Sequence, residues 1–142
     1  QLTLKSKLVN PWHYKALKKI DSKDLNVLAK INKSIPELIY KLKVLEQDFS
    51  FLNQNEINAK TLLNKLKIPN AHLKFLFKYH CKLSIHEYLN LLKIALSIQL
   101  ISQGFLNGQT IDSLSNACHF DSRITFYKNF KKFTAVSPSE FT

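Results

Sequence analysis

Apolar residues along this chain recur at intervals of three and four rather than two, the spacing that lays a stripe along one face of a helix. The pattern predicts helices near residues 23 to 33, 37 to 48, 59 to 66, 70 to 80, 84 to 102, 110 to 117, 121 to 133 and from 138 to the end. Two glycines in 142 residues leave little turn material for hairpins, so the predicted fold class is all-α. Start signals punctuate the pattern: Ser84-Ile85-His86-Glu87 and Ser137-Pro138-Ser139-Glu140 read as capping boxes, the second with proline at the first helical position. Asn58, Thr110 and Asp121 are candidate caps of three more helices. Residues 1 to 22 are basic and weakly patterned, and no element is assigned to them.

One arrangement occurs twice. A short helix, a tight turn and a second helix are expected at 59 to 80 and again at 110 to 133, the pairing that presents its second helix to a DNA major groove. Separating the faces of these second helices at about 100° per residue puts Leu73, Leu76 and Phe77 inward in the first. Ala71, Lys74, Phe75 and Lys78 are then expected outward. In the second, Phe126, Asn129, Phe130 and Phe133 turn inward, leaving Ile124, Tyr127, Lys128 and Lys131 outward with Arg123 at the edge. The phenylalanines would seat the helix on its own small core while the cations and Tyr127 face a partner, with Lys132 near the helix end as a phosphate grip.

Between the two units, SIHEYLNLLKIALSIQLIS at 84 to 102 is apolar around most of its circumference. At about 1.5 Å per residue it spans roughly 28 Å, close to the ~34 Å that separates successive major grooves on one side of B-DNA. It is expected to act as a rigid spacer packed against both halves.

Composition changes this picture in one direction. With 21 Lys+Arg against 10 Asp+Glu the net charge is +11, which favours polyanionic partners such as nucleic acid or an anionic membrane face. The 45% of hydrophobic residues supports real cores and argues against disorder as a global description. The two cysteines, Cys81 and Cys118, are expected to be free thiols of a reducing compartment. No apolar run of 18 residues occurs, and a chain beginning at Gln1 without a signal-peptide pattern reads as a piece of a longer protein or a processed one.

Other chemistries fare poorly. His80-Cys81 and Cys118-His119 sum to Cys₂His₂, but adjacent ligands chelate one metal badly and CxxC spacing is missing, so no metal is expected. Neither cysteine has an orienting acid or a glycine-rich oxyanion turn, and neither a phosphate-binding glycine loop nor paired catalytic carboxylates occur, so no enzyme activity and no cofactor are expected. His13, His72 and His86 read as surface or capping-turn histidines. Two alternatives to DNA binding are a helical protein-interaction domain whose charge serves solubility, and a membrane-surface bundle. The latter needs exposed apolar anchors beside its lysines, and only Trp12, outside the repeated units, offers one.

The stretches LLNKLKIPNAHLKFLFKYHCKLSIHEYLNLLKI at 62 to 94 and TIDSLSNACHFDSRITFYKNFKKFTAVSPSEF at 110 to 141 resemble the DNA-binding domain of the AraC/XylS family of bacterial transcription regulators. The second ends in FKKFTAVSPSEF, similar to the family's FKK-x-x-G-x-[ST]-P-x-x-[FY]. The resemblance implies two recognition helices in adjacent major grooves of double-stranded DNA. Base contacts would come from Ala71, Lys74 and Phe75 in the first unit and Arg123, Ile124, Tyr127 and Lys128 in the second, with His72, Lys78, Ser122 and Lys131 completing the interface. It further implies a domain over 37 to 142 preceded by an extension or linker at 1 to 36, and a cytoplasmic regulator or the cytoplasmic part of a membrane-anchored one. Expected partners are RNA polymerase in an activator role and a second copy engaged through parts outside 37 to 142; no small-molecule site is evident. The family's glycines are replaced here by Lys67, Lys82, His119 and Ala135, and its usual arginine in the first recognition helix by Phe75, which points that helix toward thymine methyls or the backbone rather than guanine.

Overall fold

The computed structural model describes residues 8–141, for Phe141 the backbone alone; residues 1–7 of the expected basic extension, and Thr142, lie outside the described residues. Every predicted helical region is helical. The α-helices are α1 (Leu25–Ile31), α2 (Ile35–Leu45), α3 (Phe49–Gln54), α4 (Ala59–Leu66), α5 (Asn70–His80), α6 (Ile85–Ser102), α7 (Ile111–Ala117) and α8 (Arg123–Thr134). The only β pairing among the described residues is an isolated antiparallel bridge between Trp12 and Cys81, so the chain is all-α. Three details depart from the sequence reading. The region near 23 to 33 is α1 flanked by two 3₁₀ turns, the end of the chain is a 3₁₀ turn at Pro138–Phe141, and α3 was not anticipated. Six residues are too few to show a period, and α3 is instead fixed by Asp48, whose side chain accepts from the Phe51 amide at 3.1 Å.

The spacer helix α6 runs unbroken for 18 residues and buries Tyr88, Leu91, Leu92, Ile94, Ala95, Leu96, Ser97 and Ile98. It packs on α3 from the first half and on α7 and α8 from the second. Its start is fixed by the predicted box: the Glu87 amide donates to Ser84 Oγ at 3.1 Å and the Ser84 amide to Glu87 Oε1 at 2.9 Å. Those bonds, followed by the ammonium of Lys132, hold the Glu87 carboxyl at about 2.

Residues 8 to 21, to which the sequence assigned no element, form an extended strap laid across the end of α5. The last carbonyls of a helix have no partner within it, and here the strap supplies two: the Leu17 amide donates to Tyr79 O and the His13 amide to His80 O, both at 2.8 Å. Lys82 N returns a bond to Pro11 O at 2.9 Å. Trp12 is the pin, 3% exposed, with its ring 5.2 Å from both Phe77 and Tyr88. Its Nε1 donates to Glu46 Oε2 at 3.0 Å, which also accepts from the Tyr88 hydroxyl at 2.7 Å. Burial raises the Glu46 carboxyl against the pull of those two donors. The strap and α1 therefore share one core with the rest. Trp12, the residue on which a membrane-surface reading rested, is thus buried.

Candidate nucleic-acid interface

Two helix-turn-helix units stand at either end of α6. In the first, Asn58 caps α4 by a reciprocal box with Thr61, and the helix ends on Lys67 at φ 56°, ψ 47°. That left-handed residue reverses the chain so that α5 can begin three residues later, at Asn70. In the second, Thr110 caps α7, and the turn passes through His119 at φ 69°. Of the four positions where the family has glycine, Lys67, His119 and Ala135 adopt the left-handed conformation, at a cost of roughly 1 kcal/mol each, while Lys82 does not. The turn geometry thus survives three β-carbons.

The cap of α8 is Ser122 rather than the expected Asp121: its hydroxyl accepts from the Thr125 amide at 3.1 Å. Below the helix, Phe126, Phe130 and Phe133 are buried, with Phe126 5.5 Å from Phe120 and 5.7 Å from Phe130. Above it, Arg123, Ile124, Lys128 and Lys131 are exposed. Ile124 is 68% exposed, an unusual position for so apolar a side chain, while Tyr127 rests edge-on against Phe126 and is half-buried. Arg123, Ile124, Tyr127 and Lys128 line one shallow, open depression. The chain has 20 lysines and a single arginine, and that arginine opens α8. Its Nε lies 3.4 Å from Asp112 Oδ1, both side chains well exposed, an arrangement that solvent and salt weaken.

The first unit is different. Leu73, Leu76 and Phe77 point inward as expected, and Ala71 and Lys74 are exposed with His72 half-buried beside them. Phe75, expected outward, is a correction: it is 3% exposed, with its ring 4.7 Å from Tyr79 and 6.1 Å from His80. The helical wheel was correct about the angle but assumed open solvent on that flank, where α1 instead packs along α5. A side chain so enclosed has no surface to offer a base. Lys78 keeps its place on the ridge with Ala71 and Lys74, but its Nζ lies 2.9 Å from both Asp21 Oδ2 and Asp24 Oδ2. Asp24 also accepts from the Tyr79 hydroxyl at 2.5 Å, and the Asp21 amide donates to that same hydroxyl at 3.0 Å. Hydrogen bonds from Lys78 hold both carboxyls below the usual range.

Three further residues stand apart from the sequence reading. Lys132, expected to grip phosphate, ties α8 to the start of α6 through Glu87 Oε2 at 2.9 Å. Asp21 and Asp24 escaped the sequence reading altogether; the only signal was a pair of acids three apart in an otherwise basic stretch. As for metals, both cysteines are buried and free, burial pushes each thiol up to about 12, and no group of three potential ligands comes together among the described residues. No helix among the described residues is long and apolar enough to cross a membrane.

A family described as a helix-turn-helix domain, of the AraC type, matches residues 62–142, from α4 through the terminal 3₁₀ turn. The transcriptional regulatory protein HptR of Staphylococcus aureus, in strains NCTC 8325, MSSA476 and MRSA252 among others, is 25% identical over 88 residues. That alignment covers 62% of this chain and 33% of HptR, so the chain spans about a third of the length of these relatives. No solved structure matches significantly. Two turns held open by left-handed residues, a shared spacer helix and a family match over more than half of the chain agree, and the chain belongs to the AraC-type helix-turn-helix family.

Proposed function

We propose that this chain binds double-stranded DNA sequence-specifically, as the DNA-binding part of a transcription regulator, with α5 and α8 meeting successive major grooves. The observation that carries the reading is the outer face of α8. A helix seated by three buried phenylalanines presents the chain's only arginine, an exposed isoleucine, a tyrosine edge and two lysines in one open depression and its border. Those types suit a major groove: arginine can pair with O6 and N7 of guanine, apolar side chains meet the thymine methyl, and lysines neutralise phosphates. The length of the spacer α6, about 27 Å at ~1.5 Å per residue, supports a spacing near one turn of B-DNA. Of the proposed contacts, Ala71, His72 and Lys74 belong to the first unit and Arg123, Ile124, Tyr127, Lys128 and Lys131 to the second, with Ser122 as cap beside them. Contact with RNA polymerase and self-association through parts outside residues 37 to 142 belong to the same reading, as does a cytoplasmic setting.

Selection of bound sites from random duplex DNA at stated salt tests it, followed by affinity against salt concentration on the selected site. Neutralising about five to eight phosphates gives a slope of log K on log salt near −5 to −7. Failure to enrich any sequence, or a slope close to zero, contradicts the reading.

A further inference from the structure

The strap and α1 lie outside the residues matched by the family, yet they act on the helix that the family architecture aims at DNA. Lys78 is the third position, and the second cation, of the ridge that begins at Ala71 and Lys74, since residues three and seven apart share a helix face. A free lysine there would offer its ammonium to a phosphate. Instead its Nζ stands 2.9 Å from two carboxylates, both delivered by the turn that joins strap to α1. The two carboxylates neutralise that ammonium beside a recognition helix, where a polyanion must approach. Lys18 sits on the other side of the same cluster, its Nζ 5.8 Å from the centre of the Tyr79 ring, and Lys23 lowers the Asp21 carboxyl further. The latch is fastened from the far side too, because the Tyr79 hydroxyl, which receives the Asp21 amide, donates to Asp24.

Resting on the DNA-binding reading above, we propose that Asp21 and Asp24 occupy on Lys78 the place that DNA phosphates would take, so that the strap competes with DNA for the first recognition helix. The two units are therefore unequal. The second leaves Lys128 and Lys131 exposed and holds Arg123 only by an exposed pair with Asp112, while the first, with Phe75 enclosed and Lys78 engaged, meets DNA at full strength only when the two carboxylates give way.

The test is affinity and its salt dependence on the selected duplex for the wild type, the doubly neutralised Asp21→Asn/Asp24→Asn variant, and that variant with Lys78→Gln added. Asparagine keeps the size of aspartate and can still accept from Tyr79. Asp21→Asn alone, at a side chain 55% exposed, serves as a second variant that leaves the Tyr79–Asp24 bond intact. Circular dichroism confirms the fold of each. One released lysine adds about 0.9 to the magnitude of the salt slope and about eightfold to affinity at 0.1 M salt. The expected result is a gain of that order in the double variant, a smaller gain in Asp21→Asn, and return of the slope to its wild-type value when Lys78→Gln is added. Unchanged or weaker binding by the double variant overturns the proposal, as does a steeper slope that persists without Lys78. Arg123→Ala on the same duplex reports the DNA reading separately: if it loses affinity while the aspartate variants change nothing, the latch alone fails.

Discussion

Replacing Trp12 by alanine separates an integral strap from an appended linker. The side chain is 3% exposed, packs between the rings of Phe77 and Tyr88, and supplies one of two donors to the buried Glu46 carboxylate. Truncating a buried tryptophan costs about 3 to 5 kcal/mol through lost burial and the cavity left behind. Leaving Glu46 with one donor falls within the ~1 to 3 kcal/mol of a buried group partly unsatisfied, so the total lies in the upper half of the truncation range. That is a large share of the ~5 to 15 kcal/mol that keeps a domain folded. Urea unfolding followed by far-UV circular dichroism measures it, with Tyr14→Ala as the control. Tyr14 is also in the strap but is 54% exposed and meets the Lys43 ammonium, 5.1 Å from its ring centre, a contact of about 0.5 to 1 kcal/mol. A loss under ~1 kcal/mol for Trp12→Ala, indistinguishable from Tyr14→Ala, would show that the strap is not part of the core.

Acid should weaken the start of α6 and, with it, the tie to α8: the Ser84 amide and then Lys132 depress Glu87 to about 2, so its stabilisation is complete above the ordinary glutamate pKa near 4.3 and is lost as pH falls toward 2. Thermal unfolding at about pH 5 and about pH 2.5 should fall further for the wild type than for Glu87→Gln; equal falls refute the assignment. At Ala135, held at φ 69°, Ala135→Gly removes a strain of roughly 1 kcal/mol against a gain in unfolded-chain freedom of ~0.4 to 1 kcal/mol. The expected change in chemical denaturation is therefore neutral to slightly stabilising, and a clear destabilisation contradicts the strain argument.

What the sequence revealed follows the range of the interactions involved. The start of α6 was legible because Ser84 and Glu87 satisfy each other within one turn. The inner face of α8 was legible because Phe126, Phe130 and Phe133 repeat with the helix itself. The cap at Ser122 was missed by one residue, since Asp121 is an equally good acceptor and only backbone geometry, φ −144° and ψ 151° at Ser122, decides between them. Phe75 was misjudged, and the acids beside Lys78 were missed, for a longer-range reason. The acids on Lys78 lie more than fifty positions away, and Phe75 is enclosed where α1 packs along α5; both depend on a stretch whose structure comes from pairing with the carbonyls at the end of α5 and from one tryptophan rather than from any local period. Lys132 belongs to the same class, because its acid stands on another helix.

The central claim, that the outer face of α8 reads sequence, rests most directly on the chain's only arginine. Binding of wild type and Arg123→Ala should be measured on the selected duplex and on its single-base variants at one stated salt concentration. Arginine paired with guanine discriminates by about 1 to 3 kcal/mol, and releasing it from Asp112, at 3.4 Å and well exposed, costs little. The account predicts a loss of that size for Arg123→Ala on the preferred duplex, together with a flattened preference at one base pair. Equal losses on every duplex would contradict it, assigning Arg123 to the phosphate backbone and leaving the face of α8 a grip without a reader.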